Sequence, residues 1–160
     1  GVLSEILPEV ASFLDDEVEG AELTFGRLKA VDALAAEDRL PGDAVLLAAL
    51  LLGPIDEALE GVSDVPVAYE EFVRELTLRL SLPRRLKDRI RLLTMAQRRL
   101  RTGRIQSISR REYFADAATL FALDKTARGE ELPPWARDPG DAVYDSEPRT
   151  RRRRRRRRRN

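Results

Sequence analysis

Asp43-Ala-Val-Leu-Leu-Ala-Ala-Leu-Leu-Leu-Gly-Pro-Ile-Asp-Glu-Ala-Leu-Glu60 is the stretch that decides the fold. Every position from Ala44 to Leu52 is apolar, so a helix here has no wet face and must be enclosed by other elements. The run is far shorter than the ~18 residues of a membrane span. Asp43 is placed as its N-cap, and Gly53-Pro54 is expected to kink or split the helix 44–60. A buried central helix requires amphipathic helices around it, and the flanking sequence supplies them.

Upstream, Leu3, Ile6, Leu7, Val10, Phe13 and Leu14 recur at helical spacing, and the acidic stretch from Asp15 to Glu22, containing Gly20, is expected to end that helix. A second segment, 23–38, carries Leu23, Leu28, Val31 and Leu34 on one side and closes at Leu40-Pro41-Gly42. Downstream, Gly61 to Pro66 reads as a loop, followed by a helix over 67–80. Ser81-Leu82-Pro83 breaks it and starts another helix with Ser81 as cap, running to Arg101 and stopping at Thr102-Gly103. Ser109-Arg110-Arg111-Glu112 has capping-box spacing, which predicts a last helix from Arg110 to Ala127 with Phe114, Ala117, Leu120 and Phe121 inward. No segment alternates as a strand does. The fold class expected is all-α, an irregular bundle of about six helices. Residues 1–129 form the body, and 130–160, rich in Pro, Gly and Arg without periodicity, form a disordered basic tail.

A length of 160 residues suits one domain plus an appendage. Without Cys or His there is no thiol nucleophile, disulfide, imidazole base or common zinc site. No Walker loop, nucleophile elbow, Asp-x-Asp pair or dinucleotide fingerprint is present. Asp15-Asp16 and Glu70-Glu71 are adjacent, point to different helix faces and make no dyad. By itself the chain reads as non-catalytic. Its opening, Gly1-Val-Leu-Ser-Glu5, lacks a basic n-region and an initiator Met and reads as a processed or truncated start rather than a signal peptide.

The formal net charge of +1 conceals segregation: −13 over 1–83, +10 over 84–111, −6 over 112–148 and +10 over 149–160. Two separate cationic segments point to a polyanionic partner. On the helix 84–101, Leu86, Ile90, Leu93, Gln97 and Leu100 line one face, while Arg84, Lys87, Arg91, Arg98 and Arg101 form a second row. Thr94 fills its gap, and the row is roughly 25 Å long. Arg85, Arg89 and Arg99 lie on the far flank, and Arg104, Arg110, Arg111 and Tyr113 extend the surface. Like charges at these spacings destabilise a helix, so the row reads either as a contact with a polyanion or as a solvated face paired with the acidic half. Tyr113 reads as a half-buried helix tyrosine or as a stacking platform for an unpaired base. In the tail, Arg151, Arg152, Arg153, Arg154, Arg155, Arg156, Arg157, Arg158 and Arg159 bind any polyanion without choosing a sequence. The alternatives for this run are an engineered tag and a tether onto the acidic half.

Three segments carry a resemblance. Gly1-Val-Leu-Ser-Glu-Ile-Leu-Pro-Glu-Val10 resembles the start of the helical body that follows the catalytic head in bacterial poly(A) polymerases, members of the tRNA nucleotidyltransferase/poly(A) polymerase superfamily. Leu82-Pro-Arg-Arg-Leu-Lys-Asp-Arg-Ile-Arg-Leu-Leu93 and Tyr113-Phe-Ala-Asp-Ala-Ala-Thr-Leu-Phe-Ala-Leu123 are similar to two later helices of that body, and the family ends in an arginine-rich tail. The likeness spans roughly residues 1–128 and the character of the tail. Two departures stand out: the family is richer in aromatics where this chain has Leu46–Leu52, and its tails mix Lys and Pro with Arg. The resemblance implies the cytoplasmic, RNA-binding C-terminal portion of a polynucleotide adenylyltransferase, which adds AMP to RNA 3′ ends. It implies single-stranded RNA and a DEAD-box RNA helicase as partners and no membrane. ATP and Mg2+ would belong to a catalytic head upstream of Gly1, so no catalytic or metal-ligating residue is carried over. The residues themselves leave three alternatives open: a protein-docking helical module, a nonspecific DNA-binding protein with a protamine-like arm, and a tRNA nucleotidyltransferase body.

Overall fold

A computed structural model describes residues 1–16 and 18–137, without the side chains of Asp16 and Val18. The described residues form α1 (Val2–Ile6), α2 (Pro8–Asp16), α3 (Val18–Ala36), α4 (Asp43–Ala58), α5 (Val65–Leu80), α6 (Arg84–Arg101), α7 (Phe114–Ala127) and α8 (Pro134–Arg137), with a 3₁₀ turn at Ile105–Ser107 and no strand. The fold is an all-α bundle.

The helix α4 sits at its centre because it serves two cores. Val45, Ala48, Ala49 and Leu52 join Val31, Ile90, Leu93, Leu100, Leu120 and Phe121 in one cluster. Leu51, Ile55 and the following Leu59 join Leu7, Val10, Tyr69, Val73 and Leu76 in the other. Each such side chain contributes roughly 1.5–3 kcal/mol of burial, and two facing cores explain why no polar face was left on this helix.

Gly53-Pro54 does not split α4, which runs through both residues. Pro54 removes one backbone donor, but packing holds the helix there. The Phe13 ring is slotted between Gly53 and Gly20, and a Cβ at Gly53 would fall 2.6 Å from two of its atoms. The preceding helix ends inside the acidic stretch as expected, at Asp16, but the next one begins at Val18 rather than at residue 23 and carries Gly20 within it, against Phe13. Pro8 starts a new helix, so the first apolar stripe is interrupted, with Leu7, Val10 and Phe13 buried while Leu3 and Ile6 stay 41 % and 45 % exposed.

Three caps differ from expectation. Gly42, in extended conformation, precedes α4 in place of Asp43, and its carbonyl accepts from the Val45 and Leu46 N–H groups. Asp64 caps α5, its carboxylate accepting from the Val67 N–H at 3.3 Å, so this helix starts before residue 67. Ser81 closes α5 in the left-handed region at φ +50° and does not cap α6, which follows Pro83 directly. The box at Ser109–Glu112 does not form either. Ile108 is fully buried and Ile105 packs beside it, so 105–113 is held in turns and α7 begins only at Phe114. Phe114, Ala117, Leu120 and Phe121 face inward as expected.

The body continues past residue 129. Residues 130–137, expected in the disordered tail, fold back: Trp135 lies against Phe121 and Phe114 with ring centroids 4.9 and 6.2 Å away, and Ala136 is buried. An aromatic surface on α7 makes this short strap worth ordering. The rest of the expected tail, 138–160, lies outside the described residues.

Candidate nucleic-acid interface

The apolar row of α6 docks as its periodicity requires, with Ile90, Leu93, Gln97 and Leu100 buried and Leu86 half-buried. Gln97 donates to the Leu93 and Ala117 carbonyls at 3.1 Å, fastening α6 to α7. Docked this way, the front of the helix brings its cations against acidic neighbours. Lys87 and Arg91 both pair with Glu70 of α5, at 3.5 and 3.1 Å. The Arg91 guanidinium also lies 5.9 Å from the Tyr69 ring centroid. Arg84 faces Asp88 at 3.8 Å, and Arg89 pairs with Asp116 at 2.9 Å and Glu112 at 3.6 Å. Thr94, the gap in the row, is buried and donates to the Ile90 carbonyl. The row is therefore not a free cationic stripe: Lys87 and Arg91 are held in interhelical ion pairs and Arg84 in an exposed pair within its own helix.

Arg101 is also engaged. It reaches Asp56 at 2.8 Å and Asp124 at 3.6 Å. Burial pulls its pKa down most strongly of any single influence, yet hydrogen bonding and charge from Asp56 and Asp124 together outweigh that and raise it. Asp124 is the hub of a buried network that the sequence did not announce. Arg27, only 2 % exposed, donates to Asp124 Oδ1, to the Ala49 carbonyl and to Thr24 Oγ1, each at 2.9 Å, and Arg128 closes on Asp124 Oδ2 at 3.0 Å. Burial lowers the Arg27 pKa, opposed by Asp124. Four helices, α3, α4, α6 and α7, meet through this network.

The cations that remain lie at the other end. Arg98 and Arg99 on the last turns of α6, then Arg104, Arg110 and Arg111, are exposed and make no ion pair among the described residues. Arg85, at the start of α6, is likewise exposed without one. The connection that carries this run is fixed: the Arg104 N–H donates to the Arg99 carbonyl, Gly103 turns the chain at φ +73°, and Ile108 anchors it from below. Tyr113 is half-buried on the first core, immediately before α7, and its ring is part of the packing. Arg151–Arg159 lie outside the described residues.

Two depressions border this region, and another lies on α5. A cleft of about 620 Å³ is lined by Arg27, Arg98, Arg101 and Arg128 but also by Glu19, Asp56, Glu57 and Glu60. A groove of about 460 Å³ on α5 is flanked by Glu70 and Glu71. A third, of about 540 Å³, runs between Gly103, Phe121, Lys125 and the strap 131–137. Among the described residues no group of three or more acidic side chains is arranged to hold a metal ion, and no helix is long and apolar enough to cross a membrane.

No family model, curated protein or solved structure matches this chain.

Proposed function

We propose that this chain binds single-stranded RNA through the arginines between residues 98 and 111. In this reading it is the C-terminal body of a polynucleotide adenylyltransferase, acting in the cytoplasm beside a DEAD-box helicase. The observation that carries the RNA reading is the contrast within one basic segment: the front cations are satisfied by Glu70, Asp116 and Asp88, whereas Arg98, Arg99, Arg104, Arg110 and Arg111 have no carboxylate among the described residues. Unpaired guanidiniums held on a fixed connection suit phosphate, which accepts two parallel N–H bonds from each. The resemblance of 82–93 and 113–123 to the adenylyltransferase body supports the enzyme part of this reading. The arginine tail captures RNA without selectivity, and the 98–111 surface orients its backbone.

The test is fluorescence anisotropy of labelled single-stranded RNA across a salt series, with the full chain. Replacing Arg98, Arg99, Arg104, Arg110 and Arg111 by Gln is expected to flatten the slope of log K against log salt by about 3.5, at ~0.7 per phosphate contact. Lys87→Gln with Arg91→Gln is expected to leave it unchanged. Equal slopes for all three proteins would refute the reading.

A further inference from the structure

We infer that the groove beside Trp135 holds one unstacked nucleobase of the bound strand, so that this body reads single-stranded RNA by stacking as well as by charge. The inference rests on the RNA reading above and adds the contact that makes an unpaired strand necessary.

Charge selects this groove among the three. The cleft near Arg27 sets Glu19, Asp56, Glu57 and Glu60 against its arginines, and the α5 groove sets Glu70 and Glu71 against Arg74 and Lys87, so neither is net cationic. The third is lined by Arg101, Lys125 and Arg137 against one carboxylate, Glu131. It also touches Gly103, so it adjoins Arg104 and the free arginine run. Its walls are the aromatic and imino side chains a base prefers: Trp135, half-buried over Phe121, with Pro133 and Pro134 beside it. Trp135 thus has one side against the core and contributes the rest to the groove.

The cations already present do not bar a phosphate. Lys125 pairs with Glu130, and Arg137 pairs with Glu131 at 3.0 Å, with side chains 58 % and 89 % exposed in the second pair. The exposed Arg137–Glu131 pair is worth under about 1 kcal/mol, so a phosphate can take over Arg137. A duplex offers no free base face, and the groove would stay empty on binding one.

Trp135 is the sole tryptophan, so its emission reports on this groove alone. The experiment titrates the full chain with a short oligoadenylate, following RNA anisotropy and Trp emission together. A duplex RNA and an abasic oligonucleotide of equal charge serve as controls. The expected result is emission quenched by the oligoadenylate in step with anisotropy, and unchanged by the duplex and the abasic strand although both bind. Trp135→Phe, which keeps a smaller ring, is expected to weaken oligoadenylate binding by no more than the roughly fivefold that marks the low end for losing a whole base–aromatic stack, and abasic binding not at all. Anisotropy without quenching overturns this inference and leaves RNA binding standing. Quenching by the abasic strand as strong as by the oligoadenylate also overturns it. No anisotropy change with any strand overturns both. The emission measurement needs no substitution, so a folding defect in Trp135→Phe would not obscure the answer.

Discussion

Arg27 and Arg104 carry the same guanidinium to opposite ends. Arg27 lies in the acidic half of the chain, is 2 % exposed and spends its donors on Asp124, Ala49 and Thr24. Arg104 lies in the basic segment, exposed, with no ion pair among the described residues. The buried one knits four helices together; the exposed one is free for a ligand. Charge density along the sequence therefore misdirects: the most consequential cation for stability sits where cations are rarest, and about half of the basic segment is consumed by structure.

The largest effect is expected from Arg27→Met. It leaves Asp124 buried with only Arg101 and Arg128 nearby, and removing one partner of a buried pair costs about 3–5 kcal/mol. Denaturant unfolding is expected to show a loss of that size. A loss under 1 kcal/mol would mean that the flanking arginines substitute for Arg27. Next in size is Gly53→Ala, beside the same guanidinium. Its Cβ would meet the Phe13 ring at 2.6 Å and come within 3.5 Å of Arg27 Nη2. Overpacking of this kind costs about 1–3 kcal/mol, read as a lower melting temperature with RNA affinity kept.

The smallest effect near neutral pH belongs to Tyr69→Phe. Tyr69 is buried and its hydroxyl makes no hydrogen bond of normal geometry among the described residues; Thr94 lies near enough to favour the ionised form slightly, but burial outweighs it and pushes the pKa up to about 12. Losing an unsatisfied hydroxyl is expected to be neutral or to stabilise by up to about 1 kcal/mol. The pH dependence sharpens the test. The unfolded phenol releases its proton near its ordinary ~10, earlier than the folded one. The Tyr69 contribution is therefore whole below that pH and is lost as pH rises through the folded value. Tyr69→Phe is expected to remove that alkaline loss, about 2–3 kcal/mol, measured by unfolding at pH 9 and pH 12. Parallel alkaline limbs in the two proteins would count against the buried phenol.

Much of this was legible from periodicity. The centrality of 44–60, the inward rows of α6 and α7 and the stop at Thr102-Gly103 all follow from where apolar residues recur. The caps were less legible, because Ser81, Asp43 and Ser109 have suitable side chains, and only the path of the chain decides whether a helix begins there. The glycines misled for a similar reason. Gly20 and Gly53 look like helix breakers in one dimension, but in three they form the slot for Phe13. Trp135 was assigned to a tail because its segment has no period. Nothing local announces that a strap will lie across Phe121.

The sequence by itself determined the helical class, the buried central helix and the presence of a segment too basic to be neutralised by its own residues. These depend on patterns within one element, and helix periodicity is a local property. Only the tertiary structure decided which cations of that segment stay free, because pairing depends on which face of α5 and α7 turns toward α6. It also decided that Arg27 and Asp124, far apart in the chain, share one buried site. Charge is written in the sequence; its neutralisation is a matter of distance.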